Sequence, residues 1–182
     1  RQMCIRDRFI TGWIDENNVP VCEYLDFANS VLKIPEAHEM VTKYTVLDND
    51  KQKLLILRPY QIHAIRAMRN ASKKGISGFI WHTTGSGKTM TSYKATRNLL
   101  MDIPSIEKTI FLIDRKDLDD QTVDEYNSFE KDCVDNTDST AVLISMLKSS
   151  EKKMIVTTIQ KMANAVKNPK YAAVMLSLIH IS

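Results

Sequence analysis

The stretch GFIWHTTGSGKTMTSYKATRNLL, Gly78–Leu100, decides the fold. Gly78–Trp81 is a short apolar run, read as a buried strand with Trp81 in the core. Residues 88–101 read as the helix that follows. Between them lies a phosphate-loop pattern, G-x-x-x-x-G-K-[ST]. It runs His82-Thr83-Thr84-Gly85-Ser86-Gly87-Lys88-Thr89, with His82 where the strict pattern has its first glycine. The chemistry accounts for each part. Gly85 and Gly87 let the backbone curl so that successive N–H groups face phosphate oxygens. The helix N-terminus adds its positive dipole end. Lys88 supplies a mobile cation for the β and γ phosphates, and the Thr89 hydroxyl is a ligand for Mg²⁺. The competing reading is a glycine turn with an exposed Lys-Thr pair, and a strand before and a helix after argue against it. His82 reads as a packing or hydrogen-bonding residue rather than a catalytic one.

Outward from the loop, Pro59 suits the first turn of a helix, where a missing N–H costs nothing. Ile62, Ile65 and Met68 form its apolar stripe, and Gly75 is its expected C-cap. Downstream, Thr109–Ile113 (TIFLI) reads as a buried strand. DLDDQTVDEYNSF follows as a helix with Leu118, Val123, Tyr126 and Phe129 on one face. DCVDNTDST is a polar loop, and STAVLISMLKSS a helix with Ser139 as N-cap. KMIVTT is a third strand and IQKMANAV opens another helix. Upstream, VCEYLDFANSVL has Tyr24, Phe27 and Val31 near helical spacing. AHEMVTKYTVLD fits a short helix or a strand, and KLLIL is a short apolar run. Strands alternating with helices predict an α/β layer with a parallel sheet.

The whole chain bounds the function less tightly. Its 182 residues, 43% apolar and 26% charged, are those of an ordinary globular domain. No apolar run reaches the roughly 18 residues of a membrane span. Both ends read as translated DNA adapter rather than protein. LSLIHIS (176–182) and the MCIRD within residues 1–8 back-translate to opposite strands of one short element, the transposon adapter of sequencing libraries. A native strand ending in LSLIHIS is the alternative. Setting aside Arg1, Arg6, Arg8 and Asp7 removes two charges from the formal +3, so net charge gives no evidence for nucleic acid. Cys22 and Cys133 are far apart, lack metal spacing, and read as thiols of an intracellular protein. The acids Asp117, Asp119, Asp120, Asp124 and Glu125 read as a solvated helix face rather than a metal site.

The order LRPYQIHAI, TTGSGKT, FLIDRKDLDDQ and IVTTIQK resembles superfamily 2 helicases and translocases. Its wording is most similar to the motor and endonuclease (R) subunit of type I restriction enzymes, over about Trp13 to Val166. IWHTTGSGKT with His82 is itself typical of that family. The resemblance implies a three-layer P-loop NTPase (RecA-like) lobe with a parallel sheet, incomplete at its C-terminal end. It implies residues 9–53 as a lead-in between an upstream nuclease domain and the motor, and residues 54–175 as a truncated first lobe. Gln61 matches the glutamine that hydrogen-bonds adenine, an amide suited to the N6/N7 edge; taken alone it is a solvated helix glutamine. Thr84, Gly85, Ser86, Gly87, Lys88 and Thr89 match the ATP loop, with Lys88 catalytic and Thr89 on Mg²⁺. Asp114, Arg115, Gln121, Thr157, Thr158 and Gln160 match segments that contact the DNA backbone. Both segments follow predicted parallel strands, at the end where open α/β sheets bind ligands. A lone Asp114 or Gln121 is equally a loop or cap residue.

ATP hydrolysis in such motors needs a carboxylate pair, D-E-x-H, which this sequence does not carry after Gln160. The chain is therefore expected to bind ATP and Mg²⁺ without turning ATP over. The implied parent is a cytoplasmic, membrane-free, ATP-driven translocase and endonuclease acting on double-stranded DNA. Its implied partners are methyltransferase and specificity subunits. The rivals are another superfamily 2 DNA or RNA helicase, a P-loop kinase, and an ATP-binding domain without a motor cycle.

Overall fold

Pro59 opens the helix that organises the chain. A computed structural model describes residues 12–49, 51–114, 116–130, 139–151 and 153–174, with side chains of 116–122 excepted. Before Pro59 come α1 (Tyr24–Phe27), a π-helical stretch (Ala28–Leu32), α2 (Glu36–Lys43), β1 (Thr45–Asp48) and β2 (Lys53–Ile56). After it come α3 (Pro59–Lys73), α4 (Lys88–Asp102), β3 (Thr109–Ile113), α5 (Lys116–Phe129), α6 (Thr140–Lys148), β4 (Met154–Thr158) and α7 (Ile159–Lys167). Both adapter readings, the loop holding Cys133, Arg115, and the side chains of Leu118 and Gln121 lie outside the described residues.

The helix ends follow local chemistry. Pro59 occupies the first turn of α3. At the other end the Gly75 N–H donates to Ser72 O at 3.2 Å and the Ile76 N–H to Ala71 O at 3.0 Å. That pair of bonds is a Schellman cap, and it needs the left-handed φ of 62° that Gly75 adopts. Ser139 caps α6 through its side chain, as its position predicts.

The expected stripe of α3 enters the core, with Ile62 and Ile65 both buried and Met68 partly so. Tyr44 and Val46 from the α2–β1 segment, Tyr93 and Ala95 from α4, and Val123, Tyr126 and Phe129 from α5 join them. Met154 and Val156 of β4 face this cluster. Ile155 joins a second one with Leu143, Ile144, Leu147 and Ala165. Alternate residues of one strand thus feed two cores, so all five β4 residues are buried. Each large aliphatic side chain so buried contributes about 1.5–3 kcal/mol.

Among the described residues two small sheets result. β3 and β4 pair in parallel, Thr109 opposite Met154 through Ile113 opposite Thr158. β1 and β2 form an antiparallel hairpin, Thr45 opposite Ile56. AHEMVTKYTVLD therefore divides into helix α2 and strand β1. The boundary expected after residue 53 falls within β2, and the residues on its two sides share a hairpin and a core. Asn49 ties the hairpin to α5, its N–H donating to Ser128 O and its side chain to Phe129 O. These are C-terminal carbonyls that α5 leaves without helical partners.

Three expectations fail. Thr109–Ile113 is a strand as read, yet only Ile113 of it is buried and Leu112 is 48% exposed. Gly78–Trp81 forms no strand, and Phe79 and Trp81 are each 90% exposed. A short apolar run becomes a strand only with a neighbour to complete its hydrogen bonds, and among the described residues the parallel sheet has only β3 and β4. Tyr24 is likewise exposed rather than continuing the buried stripe of Val31.

Candidate functional site

The phosphate loop is built on two glycines with left-handed backbone. Gly85 has φ 75° and Gly87 φ 76°, a region that suits glycine. Gly87 is the N-cap of α4, which places Lys88 first in the helix and Thr89 second. Lys88 is exposed, while Thr89 is half-buried. The loop borders a cleft of about 400 Å³, whose walls include Arg58, Tyr60, Trp81 and Thr84. Trp81, expected in the core, is instead a wall of this cleft.

Gln61 is 1% exposed and lies beneath the loop. The Arg58 N–H can only donate, so the oxygen it meets at 2.9 Å is Oε1, which fixes the amide's orientation. Nε2 then donates to Thr91 Oγ1 at 2.9 Å, with longer contacts to Gly87 O at 3.3 Å and Ser86 O at 3.5 Å. Thr91 in turn donates to Gly87 O at 2.9 Å. The solvated-glutamine reading is thereby replaced by a buried strut. The fit at Gly87 is close, since a Cβ there would lie 2.8 Å from Gln61 Nε2.

His82 is a hydrogen-bonding residue, its Nδ1 2.9 Å from Ser86 Oγ. Tyr60 reaches the same residue from α3, its hydroxyl donating to Ser86 O at 2.8 Å. Sequence reasoning missed Tyr60, Thr91 and Lys94. Tyr60 adjoins Gln61 and was within reach of the motif; Thr91 and Lys94 carry no local signal.

Behind the loop, α4 is fastened to α2 and β1 by polar bonds. Lys94 is 6% exposed, and its ammonium donates to Thr45 O at 2.8 Å and Thr42 O at 3.4 Å. Burial, with the neighbouring Arg97 charge, lowers its pKa from the ordinary 10.5. Asn98 donates to Lys43 O, and Asp102 pairs with Lys43 and Arg69. Burial and the Glu130 carboxylate raise the Tyr93 pKa well above its ordinary value.

The backbone-contact candidates separate. The register sets Ile113 opposite Thr158, so Asp114 and Gln160 follow the same end of the parallel sheet. Both are exposed. Thr157 is fully buried, and Thr158 caps α7 by accepting the Lys161 N–H at 3.3 Å. Among the described residues no cluster of three or more His, Cys, Asp or Glu could hold a metal ion. At the loop the half-buried Thr89 hydroxyl is an oxygen donor of the kind Mg²⁺ takes. No helix of the described residues is long and apolar enough to cross a membrane.

A glycine-built loop at the head of a helix, in an α/β frame, defines a class. Residues 60–179 match the SWI2/SNF2 ATPase family. More particularly, the chain belongs to the type I restriction enzyme endonuclease subunits. It is 43% identical over 157 residues to such a subunit of Staphylococcus saprophyticus, covering 86% of this chain and 17% of that protein. A subunit of Staphylococcus aureus is 42% identical over 155 residues, with 85% and 17% covered. A Mycoplasma pneumoniae protein, named as the C-terminal part of a type I restriction enzyme endonuclease subunit, is 36% identical over 163 residues. That match covers 82% of this chain and 78% of the relative. The chain thus spans about one sixth of the length of the staphylococcal relatives.

Proposed function

We propose that this chain binds Mg·ATP through Thr84–Thr89, as the ATP site of a polypeptide that translocates double-stranded DNA and cleaves it. The observation that carries the reading is the pair of left-handed glycines opening α4 at Lys88, within a chain of the SWI2/SNF2 ATPase family. The loop amides and the helix N-terminus bind phosphate oxygens, and Lys88 neutralises the terminal phosphates. The Thr89 hydroxyl would hold Mg²⁺, which would supply charge neutralisation at the phosphates. Gln61 meets the adenine edge only once ligand draws it from beneath the loop, releasing its bonds to Arg58 and Thr91.

In this reading the lobe is RecA-like and three-layered. Asp114, Arg115, Gln121 and Gln160 meet the DNA backbone, with Thr157 and Thr158 setting the strand-to-helix junction that places Gln160 in the first turn of α7. Such contacts position a motor without reading base sequence. Recognition and methylation then fall to specificity and methyltransferase subunits in the cytoplasm. Lys88→Ala tests the reading by titration with Mg·ATP. At least tenfold weaker binding, with an unchanged melting temperature, is expected from losing a charge-assisted phosphate contact worth about 1.5–3 kcal/mol. Equal affinity in the two chains would refute the site.

A further inference from the structure

We propose that Tyr60 and His82 are positioning residues that set the phosphate loop for its ligand, an inference that rests on the nucleotide reading above. Both act on Ser86. This residue sits between Gly85 and Gly87, the two most freely rotating links of the loop. The Tyr60 hydroxyl holds its carbonyl at 2.8 Å. The two groups of a trans peptide point in opposite directions. Fixing Ser86 C=O on Tyr60 therefore turns the Gly87 N–H away from α3.

His82 secures the side chain. Ser86 Oγ donates its one proton to Thr83 O at 2.7 Å. The 2.9 Å contact with His82 must then be accepted by Oγ, so Nδ1 carries a proton. The His82 ring meets the Tyr60 ring edge-on, with centroids 5.9 Å apart. The Ser86 N–H completes the arrangement on Thr83 O at 3.3 Å. Ser86 is thus held at its carbonyl, hydroxyl and amide. The entropy of ordering two glycines is met before ligand arrives, which is how preorganisation raises affinity. His82, which departs from the strict glycine pattern, contributes a donor that glycine lacks.

The test uses the 182-residue chain and Mg·ATP. Tyr60→Phe removes one hydroxyl and keeps the ring, and His82→Ala removes the donor. Each is expected to weaken binding about fivefold at an unchanged melting temperature, the size of one net hydrogen bond. His82→Asn places an amide N–H where Nδ1–H was and is expected to restore affinity. Wild-type affinity in both Tyr60→Phe and His82→Ala overturns the proposal, and so does a lower melting temperature at unchanged affinity. Should the unmutated chain and Lys88→Ala both fail to bind ATP, the nucleotide reading falls separately. Amide exchange at Ser86 and Gly87 still decides the brace, since Tyr60→Phe must speed it if the brace exists.

Discussion

Lys94 and Thr45 meet 2.8 Å apart, a buried ammonium on a backbone carbonyl. The bond joins the middle of the phosphate-loop helix to the first residue of β1. Thr42 O shares the same ammonium, so two carbonyls depend on it. Lys94→Met keeps most of the unbranched apolar stem, loses the ammonium and strands both carbonyls. It is expected to cost about 1–3 kcal/mol, seen as an earlier urea midpoint. The pH dependence has a definite sign. Because the folded pKa is lowered, the unfolded chain holds this proton more tightly, and unfolding takes one up between the lowered value and 10.5. Wild-type stability therefore gains on the variant as pH rises toward 10.5. Parallel curves as pH approaches 10.5 would contradict the assignment.

The two loop glycines are not equivalent. A Cβ at Gly85 meets nothing within 4 Å, so Gly85→Ala carries only the left-handed backbone cost, about 1–2 kcal/mol. A Cβ at Gly87 would also displace Gln61 Nε2 and break its bond to Thr91. Gly87→Ala is expected to cost about 2–4 kcal/mol in all. Thermal unfolding of the pair checks the order, and equal losses would show that Gln61 yields freely.

Thr158 closes the first turn of α7 while almost wholly buried, at 3% exposure. Thr158→Ala is expected to lose about 1 kcal/mol of stability, and Thr158→Ser to recover most of it by keeping the oxygen. Urea unfolding distinguishes them. An alanine variant as stable as wild type would remove the capping role and free the hydroxyl for the backbone-contact reading.

What could be read in advance was what short-range chemistry decides. Pro59 and Gly75 bound α3 because one needs no N–H partner and the other tolerates a left-handed φ. Thr109–Ile113 and Met154–Thr158 are apolar enough to be strands in any buried setting. Gly78–Trp81 looked the same, but pairing is a property of neighbours, and the sequence does not display them. α4 hid its inner face because that face is largely polar: Thr91, Lys94 and Asn98 are buried through bonds rather than hydrophobicity. The loop itself was legible from its glycines. Its supports at Gln61 and Tyr60 come from a helix more than twenty residues away, and only folding shows which carbonyls they meet.

The bare run from Ile76 to Trp81 is expected to matter where copies of this chain meet. Two aromatic rings, each 90% exposed, flank Ile80 on a segment that no strand of the described residues covers. Apolar backbone in that condition is a template for strand addition between molecules. Light scattering over a concentration series is expected to show association that grows with concentration, and a monomer at every concentration would contradict it.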